Sequence, residues 1–120
     1  MQRYLGPSYR TLVPYSSFKF VLYEKMDDSK KKLVMGLIVR ILREGLCMSR
    51  YALAKDSEVD SSWLRRFETG KSGIRVETLI ALARGLKIPA TTIIAAIEKG
   101  LANPDKWLEE YAKKGPTEVE

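Results

Sequence analysis

From Leu33 onward the apolar positions recur at helical spacing almost without a break. Leu33, Leu37, Ile38, Ile41 and Leu42 lie three and four residues apart, and Met35, Val39, Leu42 and Leu46 form an adjoining stripe. This predicts a first amphipathic helix, weakened near its end by Gly45. Ser49 suits the N-cap of a short second helix carrying Leu53 and Ala54, because its hydroxyl can accept from an unpaired first-turn amide. Asp56-Ser57-Glu58 reads as a tight turn. Asp60 is placed to cap a third helix over Ser61–Thr69, which Gly70 closes as its C′ residue. After a Lys71-Ser72-Gly73 loop, a fourth helix turns Val76, Leu79, Ile80, Leu82, Ala83 and Leu86 inward. Pro89 opens a fifth with Ile93, Ile94 and Ile97 inward and Gly100 at its close. Asn103-Pro104-Asp105 starts a sixth, bringing Trp107, Leu108 and Tyr111 near one another. The fold class this predicts is all-α.

The stretch before Leu33 has a different character. Tyr4, Tyr9, Tyr15, Phe18, Phe20 and Tyr23 crowd it, and Pro7 and Pro14 interrupt it. Phe18, Phe20 and Leu22 alternate with Lys19, Val21 and Tyr23, a short strand-like pattern. A lone strand pairs with another copy, covers the core or stays loose. Met26-Asp27-Asp28-Ser29 reads as a fresh start, making Met26 a natural initiation point and residues 1–25 an extension. The expected division is an irregular arm over 1–32, a helical domain over 33–100, and a C-terminal helix with an acidic tail over 101–120.

The second and third helices are short and separated by about four residues, so they must cross steeply. Ala54 is small where they approach, and Val59 can plug the junction. Leu64 and Phe67 fall three apart and face inward. Ser61, Ser62, Arg65, Arg66 and Thr69 are left on the opposite face, with no acidic side chain after Asp60. Such a face suits a DNA major groove: arginine can donate two bonds to guanine O6 and N7, and hydroxyls can reach base edges or phosphates.

Charge fits the same partner. The net charge of +6 is divided unevenly, with +4 over residues 1–32, +4 over 33–103 and −2 over 104–120, so a basic body carries an acidic tail. Cys47 is the single cysteine and histidine is absent, which rules out an internal disulfide, Cys/His zinc sites and Ser/His or Cys/His nucleophilic catalysis. With no glycine-rich phosphate loop either, the chain is read as a non-enzyme without cofactor or metal. No apolar run is long enough to cross a bilayer, and Pro14 and Lys19 break any secretory core, so the expected setting is the cytoplasm, away from membranes.

Arg50-Tyr51-Ala52-Leu53-Ala54-Lys55-Asp56-Ser57-Glu58-Val59, followed by Trp63-Leu64-Arg65-Arg66-Phe67-Glu68-Thr69-Gly70-Lys71, resembles the Xre/Cro-type helix-turn-helix of phage and bacterial repressors. The likeness continues through Val76-Glu77-Thr78-Leu79 and Ala83-Arg84-Gly85-Leu86-Lys87-Ile88 to Ile93-Ile94, about residues 35–97 in all. It implies a five-helix lambda-repressor-like domain, here with an extra C-terminal helix and an irregular N-terminal arm. It further implies a sequence-specific transcriptional regulator, a repressor, binding double-stranded DNA as a homodimer. By the resemblance Ser61, Ser62 and Arg66 occupy base-reading positions, with Arg65 beside them. Arg50 stands where glutamine usually touches phosphate and buttresses the reading helix. Lys71 and Ser72 match a loop that meets the sugar-phosphate backbone, and Thr69 is grouped with them. Arg43 and Glu68 match a structural ion pair.

Three positions depart from the family pattern. Glu58 stands where the turn usually has glycine, which is strained if φ is positive there. Arg50 replaces an amide that donates and accepts with a group that only donates. Asp60 puts a carboxylate where a hydroxyl often meets phosphate. Elsewhere, Cys47 is read as a small buried hydrophobe and Lys30-Lys31-Lys32 as a solvated lead-in. Trp63 is read as packing at the edge of the helix pair. Trp107, Leu108 and Tyr111 either cap the core or form a dimer surface. The rival function is a protein-interaction module or antitoxin, in which the same domain holds a protein partner such as a toxin. A sequence-blind DNA binder is a further alternative.

Overall fold

A computed structural model describes residues 27–114, so the strand-like stretch and the rest of residues 1–26 lie outside the described residues. Within them the chain is all helical: α1 Asp28–Gly45, α2 Arg50–Ser57, α3 Ser61–Glu68, α4 Val76–Leu86, α5 Ala90–Ala102 and α6 Pro104–Lys114. The first helix begins five residues before Leu33, which draws Lys30, Lys31 and Lys32 into it. Lysine is a good helix former and Asp28 lies favourably at the positive end of the helix dipole, so the helix extends past its apolar stripe.

Capping follows the local chemistry. Ser49 Oγ accepts from Ala52 N at 3.0 Å to start α2, and Asp60 Oδ2 accepts from Trp63 N at 2.9 Å to start α3. Gly70 takes φ 83° just beyond α3, as a C′ glycine should. Glu58 does adopt a left-handed conformation, φ 59°, and so do Cys47 (φ 55°) and Lys87 (φ 61°). Each follows a helix end that a glycine would terminate with less strain. Glu58→Gly is therefore expected to stabilise the fold by about 0.5–1 kcal/mol in urea unfolding, the relief of left-handed strain exceeding the extra unfolded-state freedom. A loss of stability would show that the Glu58 side chain contributes something its backbone strain conceals.

The core joins α1 through α5. Val39, Leu53, Ala54, Leu64, Phe67, Leu79, Leu82, Ala83, Leu86 and Ile93 form one buried cluster, with Met35, Leu42, Val59, Trp63 and Ile97 packed against it. Helix α1 lies against α3 and α5, α2 against α3 and α4, and α4 against α5. Several residues assigned inward by periodicity face solvent instead: Ile41, Leu46, Val76, Ile80 and Ile94 are exposed. The run Leu33–Val39 is apolar on every side, so periodicity alone does not choose its inner face. Packing chooses Val34, Leu37, Ile38 and Val39. Cys47 is exposed and not buried, because the left-handed turn that ends α1 points its side chain away from the core.

Gly100 does not end α5, which runs on to Ala102. It is buried where α5 meets α1: a Cβ there would lie 2.9 Å from Val34 Cγ1 and 3.1 Å from Ile38 Cδ1. Helix α6 then folds back onto α1 and α5. Its Trp107 and Tyr111 rings stack 5.9 Å apart, and with Leu108 they are half-buried. Lys30 Nζ donates to Asp105 Oδ1 at 2.6 Å and ties the start of α1 to α6. That hydrogen bond, then the Asp105 charge, raises the Lys30 pKa above its ordinary value. A raised lysine pKa gives stability that is present below the ordinary value and lost only as pH rises through the raised one, so this tie is indifferent to pH near neutrality.

Candidate nucleic-acid interface

Helix α3 is anchored from below by charge. Glu68 is fully buried, and its carboxylate receives Arg43 in a bidentate fork, Nε to Oε2 at 2.8 Å and Nη2 to Oε1 at 2.9 Å. Arg43 Nη1 also donates to Met48 O at 2.8 Å. The ion pair expected between Arg43 and Glu68 thus joins α3 to α1, and it reaches the α1–α2 connection as well. Arg50 adds a second cation, its Nε donating to Glu68 Oε1 at 3.0 Å. Two guanidiniums share one carboxylate in the interior, an arrangement that holds geometry firmly because each group left alone would be a buried charge.

Apolar packing fixes the rotation of α3. Leu64 and Phe67 are fully buried, and Trp63 stacks on Phe67 with ring centroids 5.3 Å apart. This leaves Ser61, Ser62, Arg65, Arg66 and Thr69 exposed together, the face expected from the spacing. Thr69 turns its hydroxyl back onto the Arg65 and Arg66 carbonyl oxygens, at 2.9 and 3.1 Å, as α3 ends. The following loop is tied to the same helix: Trp63 Nε1 donates to Ser72 Oγ at 3.1 Å, and Ser72 Oγ donates to Gly73 O at 3.0 Å. Ser72 is half-buried and so positions the loop, while Lys71 beside it is exposed.

The N-terminal turns of α2 and α3 border one open groove of about 210 Å³, lined by Arg50, Tyr51, Ser61, Ser62 and Arg65. Arg50 is buried at its floor, only 8% exposed, so the structure gives it the buttressing geometry directly. Tyr51 was not among the residues singled out from sequence. It is 69% exposed and stands in the first turn of α2, next to Arg50. The signal was available: a tyrosine adjoining a matched reading-site position, on the helix end that meets α3. The Arg65 guanidinium and the hydroxyls of Tyr51, Ser61 and Ser62 make a polar surface suited to phosphate oxygens and to base edges.

Comparison with known proteins agrees with this geometry. The helix-turn-helix domain family model matches residues 34–93. No curated protein matches the sequence. Among solved structures, the restriction-modification controller protein C.AhdI from Aeromonas hydrophila is 26% identical, with a TM-score of 0.50, over 52% of this chain and 94% of its own. The clp gene regulator ClgR from Corynebacterium glutamicum is 19% identical with a TM-score of 0.58, over 69% of this chain and 87% of its own. A point mutant of the restriction-modification controller protein C.Esp1396I is 15% identical with a TM-score of 0.55, over 59% of this chain and 90% of its own. At those identities the last two speak to the fold alone.

Proposed function

The chain belongs to the helix-turn-helix domain family, and from that premise we propose that it is a sequence-specific transcriptional repressor that reads the DNA major groove with α3. The reading rests above all on one observation: Ser61, Ser62, Arg65 and Arg66 are exposed together on a helix whose opposite side is locked by Glu68. The mechanism is non-catalytic. Lysines and arginines draw the protein to DNA and release counterions, after which the α3 face sorts sequences. Helices α1–α5 form the DNA-binding unit. Two copies bind a roughly palindromic operator with half-sites about 10–10.5 base pairs apart, or a multiple of that, and the bound dimer occludes a promoter. Lys71 meets the sugar-phosphate backbone with Thr69 beside it, while Arg50 and Ser72 hold the helix and the loop in place for that contact.

Selection of binders from a random DNA pool by the purified protein, near 150 mM salt, tests the proposal. An enriched inverted repeat is expected. On that site Arg66→Ala is expected to cost about 1–3 kcal/mol and to relax one base position. Lys71→Ala is expected to weaken all sequences alike and to reduce the salt slope by about one unit. Equal effects of both changes on specific and random DNA would break the assignment of roles.

A second reading, a module that holds a protein partner, is favoured by one feature: Val76 and Ile80, one turn apart on α4, are 70% and 45% exposed. A folded sample that enriches no DNA sequence would transfer the assignment to this reading.

A further inference from the structure

The charged side chains that α3 exposes are donors only. Arg65 and Arg66 carry guanidiniums with no acceptor atom, and Arg50 presents another at the groove floor. Bidentate recognition of adenine needs a side-chain amide, which accepts from N6 and donates to N7. The whole chain contains one glutamine, Gln2, and one asparagine, Asn103. Asn103 caps α6, its Oδ1 lying 3.4 Å from Lys106 N, and so belongs to a different part of the fold. A cytosine N4 donor is singled out by a carboxylate, since a hydroxyl that can accept from it can equally donate to another base. The nearest candidate, Asp60, has its Oδ2 engaged by the Trp63 amide at 2.9 Å, and Glu68 is sealed beneath the helix.

We infer that the operator half-site of this protein is specified chiefly by guanine, with Arg65 and Arg66 each reading one guanine through O6 and N7. The inference rests on the proposed major-groove reading and narrows its substrate. Guanine is the base whose major-groove edge offers two acceptors and no donor, which is the complement of a guanidinium fork. The geometry admits two such contacts. Helix α3 is eight residues long, about 12 Å at 1.5 Å per residue, and spans about three to four base steps of 3.4 Å. Arg65 and Arg66 are successive residues about 100° apart around the axis, so they diverge toward different base pairs. Arg65 borders the groove with Ser61 and Ser62, and Arg66 is exposed on the same helix. Ser61 and Ser62 donate or accept with equal ease, so they add contacts without demanding a base.

The experiment uses the full chain and the half-site enriched from a random pool. Each guanine of that half-site is replaced in turn by 7-deazaguanine, which lacks N7, and by inosine, which keeps N7 and O6 but loses the minor-groove amino group. At two positions, 7-deazaguanine is expected to weaken binding roughly tenfold while inosine changes it less than about twofold. R65A should abolish the 7-deazaguanine penalty at one position and R66A at the other; both side chains are exposed, so folding is retained. An enriched half-site made of A·T pairs, or one indifferent to 7-deazaguanine, would overturn guanine reading and leave sequence-specific DNA binding standing. Failure to enrich any sequence would instead remove the proposed function, and the inference with it.

Discussion

Gly36→Ala is expected to destabilise the protein by about 3 kcal/mol, at the upper end of what one added methyl usually costs. Gly36 lies where α1 crosses α3. A Cβ there would overlap the Phe67 carbonyl oxygen, and it would lie 3.0 Å from Phe67 C and 3.1 Å from Glu68 Cα. All three are backbone atoms in a helix, so none can rotate aside, and α1 must lift away from α3. That movement would also pull Arg43 from Glu68, which is why a single methyl has so large an effect. Gly45→Ala supplies the control, since a Cβ there meets nothing within 4 Å. It should gain a few tenths of a kcal/mol from helix propensity. Urea unfolding of the two variants decides the matter: equal stability would mean that α1 and α3 are not in backbone contact.

Glu68→Ala is expected to cost about 3–5 kcal/mol, because it strips the counter-charge from a fully buried Arg43 and a nearly buried Arg50. Arg43 Nε and Nη2 and Arg50 Nε all donate to this one carboxylate. Removing it takes the counter-charge from two guanidiniums held in a low-dielectric interior. Replacing Arg43, Arg50 and Glu68 together by apolar residues of similar volume should be far milder than Glu68→Ala alone, since no buried charge is then left behind. DNA affinity offers an independent readout, as the same change frees the end of α3 that the network holds. A Glu68→Ala loss below about 1 kcal/mol would show that the guanidiniums find water instead of each sharing the carboxylate.

Much of this was legible in the sequence, though unevenly. Caps were easy to locate because they depend on neighbours: Ser49, Asp60 and Gly70 act within a turn of themselves. The exposed face of α3 followed from Leu64 and Phe67, two large apolar residues three apart that turn the helix's serines and arginines outward. Helix faces that are apolar all round were harder. Ile41, Val76, Ile80 and Ile94 lie at plausible inward spacing yet face solvent, because which side is covered depends on helices distant in sequence. The close approaches at Gly36 and Gly100 were hidden for the same reason. Arg50 shows a third kind of difficulty: its match suggested phosphate contact or a buttress, and only its bond to Glu68 displays the second role.

The grip on α3 and the face it offers share no side chains. Leu64, Phe67 and Glu68 are buried, while Ser61, Ser62, Arg65 and Arg66 are exposed. Changes at exposed sites away from caps and networks usually move stability by no more than about half a kcal/mol, and separated sites combine nearly additively. On the proposed function, the four exposed positions can therefore be rewritten for new DNA preferences without weakening the fold, and a lineage carrying it is free to drift from one operator to another while its architecture stands still.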